Sequence, residues 1–150
     1  MKKNLIPILL LLFFITVGCV STKSALTETD KNHIDALATK WIISLKSEDV
    51  DGMLSTYWED MVHITYETDG SRKNYSLEEF REEQQKAFEQ HDLFADLEYP
   101  EPEKDFASEP GQPIYTYTVT FGDFTFQDIF QFLKREGEWK IIEHIFQIVP

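Results

Sequence analysis

Asp128 is the residue whose surroundings most invite chemistry. Phe124, Phe126, Asp128, Phe130 and Phe132 occupy alternate positions of one stretch, with Gln127 and Gln131 between them. Side chains alternate along a strand, so the carboxyl shares a face with four phenyl rings. Turned inward, that face desolvates the carboxyl, raises its pKa and makes it a general base or a neutral hydrogen-bond donor. At a bulge or a strand edge the same residue is solvated or hydrogen-bonded and carries no chemistry. His144 and His63 lie in two further strand-like stretches. Either can reach Asp128 across a sheet as an acid/base partner, or serve as a satisfied core or rim histidine. His33 and His91 fall at helix ends and are expected to face solvent. The four histidines are far apart, no two share a helix at ligand spacing, and there is one cysteine, so no metal is expected. With no Gly-rich phosphate loop and no serine elbow, no cofactor is expected either.

Aromatic side chains make up 14% of the chain, enough to line a cavity as well as fill a core. Trp41, Trp58, Tyr66, Tyr117, Phe126 and Phe146 are the candidates for contact with an apolar or ring-shaped ligand. The plainer account of most of them is that a bent sheet over helices needs large side chains to fill it.

The elements that must position these residues follow from periodicity. Ile34, Leu37, Ala38, Trp41, Ile42 and Leu45 recur at helical spacing, with Thr29 or Asp30 as the expected cap. Ser47, Glu48 and Asp49 break that helix. Val50, Met53, Leu54, Tyr57 and Trp58 predict a second, short one, with Gly52 as its weak point. Residues 61–68 alternate as a strand, and Asp69 and Gly70 form a turn. Ser76 and Glu79 make a capping box opening a third helix, with Leu77, Phe80, Gln84, Ala87 and Phe88 inward and an end near Gln90. Residues 93–99 are expected as a strand. The proline-punctuated acidic segment after it cannot be a central strand. Strands follow over 114–121, from Phe124 onward, and over 139–149, the last apolar on both faces and therefore central. Helices first and a consecutive antiparallel run last predict an α+β domain with helices on one face of a curved sheet.

The N-terminus has a different character. Lys2 and Lys3 precede an apolar run from Leu5 to Val17. The run is shorter than the roughly 20 residues a membrane span needs and fits the core of a secretory signal. It ends in Thr16, Val17, Gly18 and Cys19, the sole cysteine. This resembles the lipobox of bacterial lipoproteins, with Thr16 standing where that family prefers Leu. The resemblance implies a signal peptide over 1–18, acylation of Cys19 and anchoring to a membrane through lipid. Val20 in place of Asp after the cysteine points to the outer membrane where a cell has one. An ordinary cleaved signal or an uncleaved anchor is the alternative. Residues 19–32 are polar and are expected to be a flexible tether, and residues 33–150 one domain. Without Lys2 and Lys3 the formal charge is −15, which repels nucleic acid and anionic lipid surfaces.

With the elements in place, the chain from Lys31 to Pro150 resembles the NTF2-like superfamily, including its SnoaL-like and ketosteroid-isomerase-like branches. Three stretches carry the resemblance: the joint from Ser47 to Leu54, the strand from Asp60 to Ile64, and the closing hairpin from Gly137 to His144. It implies a cystatin-like cone, three N-terminal helices packed on a curved, mainly antiparallel sheet with a pocket between. Family members include isomerases, cyclases, dehydratases, ligand binders and dimerisation modules, and fold alone does not choose among them. The leading expectation is a domain that binds a small apolar ligand or a protein partner without catalysis. The alternatives are an isomerase or dehydratase using Asp128 with His63 or His144, and a module forming a homodimer through the face bearing Thr116, Thr118, Thr120, Gln127 and Gln131.

Overall fold

The computed structural model describes residues 26–90, 94–107 and 111–149. The expected signal peptide, Cys19, most of the tether, His91 and Leu93 lie outside the described residues.

The first helix, α1 (Glu28–Lys46), begins earlier than its apolar stripe suggested. Thr27, not Thr29 or Asp30, is the cap: its hydroxyl accepts from the Asp30 N–H, and the Asp30 carboxylate accepts from the Thr27 N–H. Such a box contributes about 1 kcal/mol. Asp30 also accepts from Lys134 Nζ at 2.7 Å and Trp139 Nε1 at 2.8 Å, tying the first turn to the last hairpin. Residues 28–32, expected as tether, are therefore helical.

Glu48 has φ +56°, which ends the helix, and Asp49 caps α2 (Val50–Leu54) by accepting from the Gly52 N–H. Tyr57 and Trp58 do not continue α2; they open β1 (Tyr57–Tyr66). Adjacent aromatic rings suit a pleated surface better than the end of a five-residue helix. A short β2 (Arg72–Tyr75) follows, missed in the sequence because its exposed polar residues show no apolar alternation. Then comes α3 (Leu77–Gln90), capped by Ser76 and Glu79 as expected.

The expected strand over 93–99 is not formed over its described residues, 94–99. Phe94–Asp96 is a single 3₁₀ turn, and the chain runs on as coil to Tyr99, with Leu97 and Phe94 packed on the core. Their hydrophobicity reflects burial against helices, with no ladder partner. The acidic segment holds β3 (Glu103–Asp105), at the sheet edge where its composition is tolerated. The last three strands are β4 (Ile114–Phe121), β5 (Phe124–Arg135) and β6 (Glu138–Val149).

The sheet has six strands in the order β2-β1-β6-β5-β4-β3. The β1–β6 pair is parallel and the others antiparallel. The helices pack on one face, around Ile34, Trp41, Phe80, Phe130, Phe132 and Ile141. One irregularity interrupts the β5–β6 pairing. Gln131 pairs with Glu143 but Phe132 with Ile141, so Ile142 is an extra residue in β6. Strict alternation from the buried Trp139 and Ile141 would turn Glu143 inward; the bulge shifts the phase by one residue and buries His144 instead.

Candidate ligand-binding cavity

Between the sheet and the helices lies a cavity of about 450 Å³, within the range of small-molecule sites. Its lining is dominated by aromatic rings from every layer: Trp41 of α1, Phe80 of α3, Tyr99, and Phe126 and Phe146 of β5 and β6. Glu83 and the exposed Phe124 stand at its rim. Asp128, His144 and His63 form its polar wall.

β5 presents Asp128 inward as the alternation required, and the residue is 2% exposed. His144, also 2% exposed, is one neighbouring strand away and places Nε2 2.8 Å from Asp128 Oδ1. The second carboxylate oxygen accepts from the Tyr99 hydroxyl at 2.7 Å. On its other side the His144 ring has Nδ1 2.9 Å from the Tyr57 hydroxyl, which accepts from Trp41 Nε1 at 2.7 Å. Five side chains thus form one buried relay.

The direction of that relay follows from counting protons. An indole N–H only donates, so the Tyr57 oxygen accepts from it. If the Tyr57 hydroxyl then donates to His144 Nδ1, the imidazole proton is on Nε2 and is donated to Asp128. Every polar hydrogen has an acceptor. The reverse assignment leaves the Tyr57 O–H buried without one, a cost of about 1–3 kcal/mol. In this direction Asp128 accepts on both oxygens, from His144 Nε2–H and from the Tyr99 hydroxyl. Burial pushes the Tyr57 and Tyr99 hydroxyls well above the usual phenol range, and the negative charge of Asp128 pushes both further. They remain donors.

His63 faces the same cavity but does not join the relay. Its ring centroid is 4.5 Å from that of His144 and 4.2 Å from Phe80. Nε2 lies 3.1 Å from the Thr65 hydroxyl, and buried Nδ1 has no hydrogen-bond partner. Burial, then the neighbouring His144, bring its pKa down to about 2, against a weaker upward pull from the His144 backbone. It is a neutral ring at neutral pH.

Of the aromatic candidates, Trp41, Phe126 and Phe146 line the cavity. Three others do not. Trp58 follows Tyr57 on a strand and so points to the opposite face, where its N–H donates to the Leu133 carbonyl and Arg135 and Lys140 lie over its ring. Tyr66 closes β1, half-buried, paired with Arg72 and Gln147 away from the lining. Tyr117 is a core residue behind the wall, its ring edge-on to Tyr99 and Phe130. Tyr57 and Tyr99 were missed. In the sequence Tyr57 falls in a helical stripe and Tyr99 at the end of an expected strand, and neither position points to a polar role. His33 is exposed, as expected.

Solved structures share this architecture. An NTF2-like protein of unknown function from Methylobacillus flagellatus superposes with a TM-score of 0.66 at 14% identity, over 83% of this chain and 96% of that one. A protein of unknown function with a cystatin-like fold from Nostoc punctiforme gives 0.63 at 20% identity, over 85% and 96%. An NTF2-like protein from Silicibacter pomeroyi gives 0.64 at 14% identity, over 83% and 100%. No curated protein matches the sequence significantly. Fold and cavity together define an NTF2-like, cystatin-like domain with helices on one face of a curved, mostly antiparallel sheet. Within that class the chain belongs to the family described as "Putative lumazine-binding", whose model matches residues 29–147.

Proposed function

We propose that this protein is an exported, lipid-anchored binding domain whose cavity takes a small, mainly apolar molecule bearing a hydrogen-bond donor. The observation that carries the reading is the Asp128 carboxylate, fixed by His144 and Tyr99 among aromatic rings beside about 450 Å³ of open space. Two of its lone-pair positions are used, so capacity is left for a ligand N–H or O–H. The family description is in keeping with this: lumazine is a flat two-ring heterocycle with ring N–H groups. The open cavity also counts against a purely structural module, in which Phe and Trp side chains would fill that space.

The second reading is catalysis. The contact of Asp128 with His144 in an apolar cavity favours it, with Asp128 as the base of an isomerase or dehydratase. Both His144 ring nitrogens are already engaged, and burial holds the His63 pKa down to about 2, which makes His63 a weak base. That asymmetry places binding ahead.

Native mass spectrometry of the full-length protein purified from its membrane tests the proposal. A retained small molecule, absent from a cavity-filling Ala87→Trp variant of equal fold, is the expected result. Recovery of the same molecule after prolonged incubation separates binding from turnover. A cavity that retains nothing and takes up no added lumazine or apolar probe overturns the reading.

A further inference from the structure

The charges around the cavity narrow the ligand class further, on the assumption that the cavity binds a small molecule. Among its described lining residues the formally charged groups are Asp128 and Glu83, and no lysine or arginine is present. His63, its pKa held down by burial, is neutral at neutral pH. The buried carboxylate accepts hydrogen bonds from His144 and Tyr99, and no lysine or arginine stands beside it among the described lining residues. A buried charge is costly unless it is both hydrogen-bonded and paired. The hydrogen bonds are supplied by the protein; a permanent cation to pair with the carboxylate is not.

The remaining lining has the complementary property. Trp41, Phe80, Phe126 and Phe146 present rings to the space beside the carboxylate. Aromatic faces attract cations, the more so where water is excluded. The whole chain adds to this bias: outside the two N-terminal lysines it carries 27 acidic against 12 basic side chains, a field that concentrates cations and repels anions. Buried Nδ1 of His63, which lacks a partner, supplies one more polar atom on the wall.

We propose that the cavity binds an organic cation, a protonated amine carried on an apolar ring-bearing skeleton, with the ammonium on Asp128 and the skeleton among the rings. Anionic ligands such as carboxylates and phosphates are excluded, meeting Asp128 and Glu83 and no lysine or arginine among the described lining residues. A neutral N–H donor of the lumazine type makes the hydrogen bond but brings no charge to the carboxylate.

The test uses the full-length protein in detergent and three probes of one skeleton: 2-naphthylmethylammonium, 2-naphthylmethanol and 2-naphthoate, with lumazine as a neutral heterocycle. Calorimetric titration at neutral pH is expected to rank the ammonium above the alcohol by roughly ten-fold or more, since a charge-assisted hydrogen bond is about twice as strong as a neutral one. The naphthoate is expected not to bind. Asp128→Asn, checked for folding by circular dichroism, should abolish the preference for the ammonium; should that variant not fold, the ranking on the unmodified protein decides alone. If the alcohol, the naphthoate or lumazine binds as tightly as the ammonium, the cation class is overturned and the cavity reading stands. If no probe binds, and the protein from its native membrane retains no molecule, both fall.

Discussion

Buried histidines are costly to charge, and His63 makes that cost visible as a pH dependence. Its pKa falls to about 2 in the fold, against 6.5 for a free histidine. The unfolded chain therefore binds more protons at acid pH than the native one. The stability at stake is fully present above about pH 6.5 and is lost progressively as pH falls below it, by about 1.4 kcal/mol per pH unit. Urea unfolding is expected to show a loss of roughly 2 kcal/mol between about pH 6.5 and pH 5. His63→Leu should flatten that limb, and an unchanged slope in the variant would refute the assignment. The carboxylates Asp30, Asp35 and Asp60, held low by Lys134, by Lys104 with Tyr115, and by Arg135, act in a separate window near and below their ordinary range. At this scale the inward face of Asp128 was legible, because strand alternation is local. Its partners were only partly so. His144 was a candidate, whereas Tyr57 and Tyr99 come together with Asp128 from other parts of the chain.

Elements show where local rules and packing disagree. Propensity alone marks Gly52 as a weak point of α2, and Ala there would be expected to gain about 1 kcal/mol. The structure reverses the sign. A Cβ at Gly52 would collide with the Asp49 carboxylate and the Ser44 hydroxyl, the former being the cap of the same helix. Gly52→Ala is expected to destabilise the domain by about 1–3 kcal/mol, as overpacking does. A lowered denaturation midpoint checks this, and a raised one would show that propensity governs. The β6 bulge is the second such case. Residues 139–149 read as apolar on both faces, and nothing local told which of Glu143 and His144 turns inward. The extra residue Ile142 decides it, because pairing with β5 on one side and β1 on the other sets the register. Over residues 94–99 tertiary packing likewise overrides the local pattern: Phe94 and Leu97 pack on the core without a strand partner.

For the whole molecule, the proposal of a lipid anchor rests on the resemblance of residues 16–19 to a lipobox, and it makes a prediction about distribution. A domain with this acidity has little affinity of its own for anionic lipid. Cys19→Ser is therefore expected to move the protein from the membrane to the soluble fraction, measured by fractionation and immunoblotting. Retention at the membrane would show that something other than an acyl chain holds it. The proposed tether is also shorter than expected, because α1 starts at Glu28 and its first turn is bound to the closing hairpin through Asp30. By itself the sequence determined the fold class, the main helices, the central place of the last strand and the inward turn of Asp128. These depend on periodicity, capping and composition, which act over a few residues. Only the tertiary structure decided that Asp128, His144, Tyr57, Trp41 and Tyr99 form one relay. It also decided that Trp58, Tyr66 and Tyr117 stand outside the cavity, and that the cavity's charge is negative. Those outcomes depend on register, a bulge and contacts across the sheet, and no local pattern in the chain encodes the meeting of residues so far apart.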